Sequence, residues 1–243
     1  MWLYFKKSKK PLSPSTIVKE VPKKGDFSIS LKLIIVITVK NIKIESFIMS
    51  LKNTKTTADY IPWDSAINLT HRLYKDKNYI MSMFIACGIF TGLRVRDLRE
   101  LRWNQLLGGG VMTIIEHKTK KERQIKLNPD FVEHVKSCYE AMGIKNTNEH
   151  VFLSQKKTVI STQWFNRLLK DVRDKYKVPC KHISCHALRK TMGRAIFEKS
   201  AENSEMALIK LSEVFGHSNT QITRRYLGLK QEEILEAYDL LSF

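Results

Sequence analysis

The sequence predicts a mainly α-helical protein with one small antiparallel β-sheet. Three observations carry this expectation. From Asp59 onward apolar residues recur at helical spacing, punctuated by Pro, Gly and Ser at the ends of each run. Val111–Glu116 and Gln124–Leu127 are strand-like and flank a basic tip, His117-Lys118-Thr119-Lys120-Lys121, which reads as a β-hairpin. The stretch LSEVFGHSNTQITRRYL at 211–227 reads as a helix, a tight turn at Gly216-His217-Ser218-Asn219, and a second short helix ending at Tyr226. Asn219 or Thr220 can cap that second helix.

Taken in order, residues 1–58 form a basic, poorly structured N-terminal extension, and residues 59–243 form the folded domain. Residues 1–30 are Lys-rich, interrupted by Pro11, Pro14 and Pro22, and lack helical period. Residues 28–47 are rich in Ile and Val and suggest a short strand pair. Met49 opens more ordinary sequence and is an alternative start to Met1. Pro62 suits a first helical turn, and 63–74 keeps Ala66, Ile67, Leu69, Leu73 and Tyr74 near one face. Residues 79–90 are almost wholly apolar, the pattern of a central buried helix, which stops at Thr91-Gly92. A short helix follows around 93–101 with Leu98 and Leu101 inward. Gly108–Gly110 is a turn before the hairpin. Pro129 opens a helix to about Met142, and Ser161 caps another that runs through Trp164, Leu168, Leu169 and Val172. Helices are expected from His186 to about Lys199 and from Glu205 to Phe215. The run 231–241 places Ile234, Leu235, Tyr238 and Leu241 on one stripe.

The formal charge is +18, of which +9 falls in residues 1–55 (12 Lys against 3 acids) and +9 in the remainder. A surface this basic points to a polyanion, first nucleic acid and second an anionic membrane surface. Cys87, Cys138, Cys180 and Cys185 form no CxxC, so free thiols in a reducing cytoplasm are expected. The cluster Cys180, His182, Cys185, His186 does not match zinc-ligand spacing, and no metal is expected. The most apolar run, 33–39, is seven residues between Lys32 and Lys40, too short to span a membrane.

Several residues suit chemistry on a phosphodiester. Arg94 and Arg189 offer forked, permanently charged donors for phosphate oxygens. Tyr226 is a candidate nucleophile. Lys118, at the start of the hairpin tip, suits protonation of a leaving sugar oxygen. His186, three residues before Arg189 on the same helical face, and His217 can move protons and bond the phosphate. Each has a bland explanation taken singly: capping, surface charge or packing. Taken alone, the 211–227 stretch favours a non-catalytic helix-turn-helix that binds DNA.

The conjunction resembles the tyrosine recombinase (phage integrase) family. TGLRVRDLREL at 91–101 resembles its first-arginine motif, and KTKKERQIKL at 118–127 its catalytic hairpin. HALRK at 186–190 resembles its His-x-x-Arg box, and GHSNTQITRRY at 216–226 its Gly-His and nucleophilic Tyr. The similarity covers about residues 59–243, the family's catalytic domain. It implies site-specific recombination of double-stranded DNA, as in phage or other mobile elements, through a covalent 3′-phosphotyrosine and a free 5′-hydroxyl. No metal or nucleotide cofactor is implied. The implied catalytic set is Arg94, Lys118, His186, Arg189, His217 and Tyr226. Asp97 matches an acidic position that supports the active-site arginine. Family habits further imply self-association as a tetramer on paired DNA sites, accessory DNA-bending proteins, and a C-terminal helix that docks on a neighbouring protomer. Residues 1–58 are too short and too little helical to match the family's usual core-binding domain. The first alternative is the non-catalytic helix-turn-helix DNA-binding protein, and the second is a type IB topoisomerase-like nicking-closing enzyme with the same chemistry and no synapsis.

Overall fold

The computed structural model describes residues 58–239. The basic arm, the expected strand pair at 28–47 and Met49 lie outside these residues, as does Leu241.

The organising element is α2 (Tyr79–Thr91). Asn78 starts it by accepting a hydrogen bond from the Met81 amide, and Gly92 ends it at φ 57°, a left-handed turn that favours glycine. Its long run from Met81 to Ile89 is buried on all sides, as its unbroken apolar sequence demands. On one flank lies α1 (Trp63–Lys75), which buries Ala66, Leu69 and Leu73. On another lies α7 (Cys185–Lys199). Gly88 permits the close approach to α7, because a Cβ there would sit 2.6 Å from Leu188 Cδ1 and 2.7 Å from its Cβ. A third flank meets α5 (Pro129–Ala141), whose start is capped by Asn128. Phe84 stacks on Phe165 of α6 (Thr162–Tyr176) with centroids 3.6 Å apart. Ser161 caps α6 as expected, accepting from the Trp164 amide at 3.2 Å.

Between α2 and the sheet come two five-residue helices, α3 (Val95–Arg99) and α4 (Trp103–Leu107). The sequence reading did not foresee α4. Its apolar signal is Trp103, Leu106 and Leu107, and its start is held by Gln105, whose side chain accepts from the Arg102 amide at 2.8 Å.

Strands β1 (Val111–Ile115) and β2 (Glu122–Lys126) pair antiparallel in the register Val111↔Lys126, Thr113↔Gln124, Ile115↔Glu122. Met112, Ile114 and Ile125 face the core, whereas Val111 and Ile115 are exposed. The second strand begins two residues earlier than expected. Its first residues are charged, yet Arg123 lies on the same face as Ile125, and its guanidinium turns to Glu116.

A second, smaller core gathers Met192, Leu208, Leu211, Phe215, Leu227 and Leu229. It joins α7 to α8 (Ser204–Phe215) and α9 (Thr220–Leu227). Gly216, at φ 60°, closes α8. Asn219 rather than Thr220 caps α9, accepting from the Ile222 amide at 3.0 Å. The last helix, α10 (Leu229–Asp239), starts two residues before the expected Gln231 because Gly228 makes the break and Leu229 is drawn into the small core. Its stripe of Ile234, Leu235 and Tyr238 is exposed.

Candidate active site

The six expected residues reach the site from five local devices. Arg94 is the extended residue just ahead of α3, projected by the Gly92 turn. Lys118 stands on the tip between β1 and β2. That tip is closed by the Glu116 amide donating to the Lys121 carbonyl at 3.0 Å, with Lys120 at φ 58°. His186 and Arg189 lie on the first turns of α7. His217 follows the left-handed Gly216 at the end of α8, and Tyr226 sits near the end of α9. All six line one cavity of about 520 Å³. A larger groove of about 750 Å³, between Asn78 and Leu168, contains only one charged side chain, Lys156, and no pair of groups suited to proton transfer.

The two arginines are held by backbone. The Phe215 carbonyl accepts from Arg94 Nη2 at 2.9 Å and from Arg189 Nη2 at 2.8 Å. Arg189 Nη1 also donates to the Gly92 carbonyl. Phe215 is the last residue of α8, so its carbonyl is free of the helix ladder and sits at the negative end of the helix dipole. The Arg189 guanidinium also covers the Phe215 ring, 4.4 Å from its centroid. A guanidinium has five N–H donors, so both keep donors for an anion in the cavity. Burial pulls the pKa of Arg189 down to about 10, with Tyr226 opposing and Arg94 and Arg123 adding to the fall. It stays charged at neutral pH.

The carboxylate on Arg94 is Glu116, at 2.8 Å. Glu116 is 6% exposed and also meets Arg123 at 3.4 Å and the Thr119 hydroxyl at 2.9 Å. Burial opposes its charge. The Thr119 hydroxyl and the two guanidiniums outweigh that and hold its pKa below the ordinary value. Asp97, the acid expected in support of the active-site arginine, meets the hairpin backbone. Its Oδ1 accepts from the His117 amide at 2.8 Å, anchoring the residue before Lys118, and its Oδ2 is buried with no hydrogen-bond partner among the described residues. Glu116 and Arg123 were thus missed by the sequence reading. The available signal was an acid at the entry to a run of cations.

The Tyr226 hydroxyl is buried and has no hydrogen-bond partner among the described residues. Its ring packs edge-on against Phe215 and His217, each with centroids 5.4 Å away, and Lys190 Nζ lies 5.6 Å from its centroid. Burial raises its pKa, while Arg189 and Arg94 pull the other way. The pKa of His217 is lowered by burial, then by Arg189, Arg94 and Lys118. His186 stands at the cavity mouth. Partial desolvation, then Arg189 and Lys190, lower its pKa as well. The cavity therefore offers two spare-donor guanidiniums, an ammonium, two neutral imidazoles and a neutral phenol. That set can clamp a phosphate diester and move protons on both sides of it.

Comparison with known proteins fits this set. The Phage integrase family model matches residues 64–233. A probable integrase/recombinase of Bacillus subtilis, YoeC, is 26% identical over 167 residues, which is 68% of this chain and 85% of that one. Tyrosine recombinase XerC of Leptospira interrogans is 26% identical over 149 residues, 61% of this chain but only 46% of the relative. The crystal structure of XerA recombinase superposes with a TM-score of 0.59 at 19% identity, covering 78% of this chain and 68% of that one. The described residues thus have the fold of a tyrosine recombinase catalytic domain, and the chain belongs to the phage integrase family.

Proposed function

We propose that this chain is a site-specific DNA recombinase that cuts and rejoins duplex DNA through Tyr226. The observation that carries the reading is the single cavity that unites two carbonyl-held arginines, two histidines, a hairpin lysine and a tyrosine hydroxyl without a partner. Arg94 and Arg189 hold the non-bridging oxygens of the scissile phosphate and stabilise the charge that builds on them. Tyr226 Oη attacks phosphorus, and its proton passes to an imidazole. The bond to the 5′-oxygen breaks as Lys118 protonates that oxygen. The products are a 3′-phosphotyrosyl ester and a 5′-hydroxyl. The ester conserves the energy of the broken bond, so a second 5′-hydroxyl can reverse the step on a new partner strand without ATP.

The partner is double-stranded DNA, in keeping with the +18 charge. Chemistry on resident DNA would put the protein in the cytoplasm, and among the described residues no helix is long and apolar enough to cross a membrane. Residues 59–243 would hold the catalytic domain, with 1–58 as a basic extension. Exchange between two sites calls for four protomers, and the exposed stripe Ile234, Leu235 and Tyr238 on α10 is a surface suited to docking on a neighbour. Accessory DNA-bending proteins belong to the same reading. The helix-turn-helix look of 211–227 has a different use here, because its turn supplies His217 and its second helix supplies Tyr226.

The test is a nicked suicide duplex carrying the element's flanking sites. The parent chain should form a covalent adduct, and Tyr226→Phe should form none. Absence of adduct from the parent overturns the reading, and relaxation without strand exchange favours a topoisomerase-like enzyme.

A further inference from the structure

His217 is tied into a chain of hydrogen bonds that runs back into α8. Its Nδ1 lies 2.9 Å from Thr223 Oγ1. Thr223 Oγ1 lies 2.8 Å from Ser212 Oγ. Ser212 Oγ lies 2.7 Å from the Leu208 carbonyl oxygen. Thr223 is fully buried and Ser212 is 7% exposed, so bulk water offers neither hydroxyl an easy alternative.

The direction of each bond follows from proton counting. A carbonyl oxygen only accepts, so Ser212 spends its one proton on Leu208. The Ser212–Thr223 contact then requires Thr223 to donate. Thr223 has no proton left for the imidazole, so the contact to His217 requires Nδ1–H to donate. The opposite nitrogen, Nε2, is the one left for the cavity that His217 lines. In a neutral ring it presents a lone pair.

We propose that Ser212 and Thr223 are positioning residues that lock His217 as the Nδ1–H tautomer, with Nε2 turned to the phosphate site. The lock fixes both ring orientation and role. Nε2 receives a proton first, and only then donates to a phosphate oxygen while Nδ1–H stays on Thr223. The groups that face the ring are Arg94 from the loop before α3, Lys118 from the hairpin, Arg189 from α7, and Tyr226 from α9. Three are cations, so a neutral resting ring and a proton gained during reaction are mutually consistent. The use of the lock rests on the strand-cutting reading above, but its existence does not.

The whole chain, labelled with ¹⁵N-histidine, reports the tautomer directly through long-range ¹⁵N–¹H correlations, with His217→Gln identifying the signal. The parent should show Nδ1–H without DNA. Thr223→Val, which keeps the shape and removes the hydroxyl, should lose that preference, and Thr223→Ser should restore it. On the nicked duplex Thr223→Val should form adduct about fivefold more slowly, the worth of one hydrogen bond, and Thr223→Ser should match the parent. Matched thermal melts establish that the variants fold, and Ser212→Ala gives a second, milder break in the same chain. An Nε2–H tautomer in the parent, or no change in Thr223→Val, overturns the lock. A changed tautomer with an unchanged adduct rate overturns its role in the reaction. A parent with the Nδ1–H tautomer and no adduct would keep the lock and sink the recombinase reading.

Discussion

Replacing Glu116 with Gln tests how the cavity holds its charge. The carboxylate binds Arg94 at 2.8 Å, Arg123 at 3.4 Å and the Thr119 hydroxyl at 2.9 Å, almost out of solvent. A glutamine keeps the shape but offers one oxygen and one N–H donor group. Whichever way the amide turns, a donor faces a guanidinium. One charge-assisted hydrogen bond is lost, a cost of about 2 kcal/mol. With a urea slope of about 2 kcal/mol/M, the unfolding midpoint at pH 7 should fall by roughly 1 M. The pH dependence has a definite sign. The folded-state pKa of Glu116 lies below its unfolded value of about 4.3, so its stabilisation is present above that value and is lost as pH falls through the lower folded one. Parent and variant should therefore differ at pH 7 and converge in acid. Equal midpoints at pH 7, or a gap that widens in acid, would refute the reasoning.

Two further predictions concern packing and the proposed nucleophile. Gly193→Ala puts a Cβ 2.6 Å from Leu227 Cδ2 and 2.8 Å from Phe215 Cζ, and both neighbours are wedged in the small core beneath α9. Thermal or urea melts should record a loss of about 1–3 kcal/mol, and adduct yield should fall further than in Gly88→Ala, whose clash is with Leu188 instead. Full stability and activity in Gly193→Ala would contradict the packing. Tyr226→Phe removes a buried hydroxyl without a partner, so its melting temperature should equal or exceed the parent's, by up to about 1 kcal/mol in stability. A clear loss of stability would mean that the hydroxyl is bonded.

The long elements were legible because their causes are local. The unbroken apolar run of α2, the stop at Gly92 and the cap Ser161 are readable from residue type alone, whereas residue type left the cap of α9 open between Asn219 and Thr220. α4 was not, since five residues make only about one and a half helical turns, too few for an amphipathic pattern to repeat. The start of β2 was hidden because Arg123 breaks the apolar alternation, and only its partner across space explains why. The family resemblance suggested Asp97 as an acid in support of the active-site arginine. The carboxylate that pairs with Arg94 is Glu116, the residue after β1, a contact created by the fold. The Phe215 carbonyl is equally invisible in sequence, since every residue has one. It matters here because α8 ends there and both arginines arrive. Choosing six residues as one set came from their chemical complementarity and the family resemblance, not from periodicity. Their common cavity is a property of the fold.

The most direct test of the central claim is to find where DNA becomes attached. The adduct from the nicked duplex is digested with nuclease and protease, and the nucleotide-bearing peptide is sequenced by mass spectrometry. The account predicts a 3′-linked nucleotide on Tyr226 and no modified peptide from Tyr226→Phe. A nucleotide on any other residue, or an adduct that survives Tyr226→Phe, would contradict it.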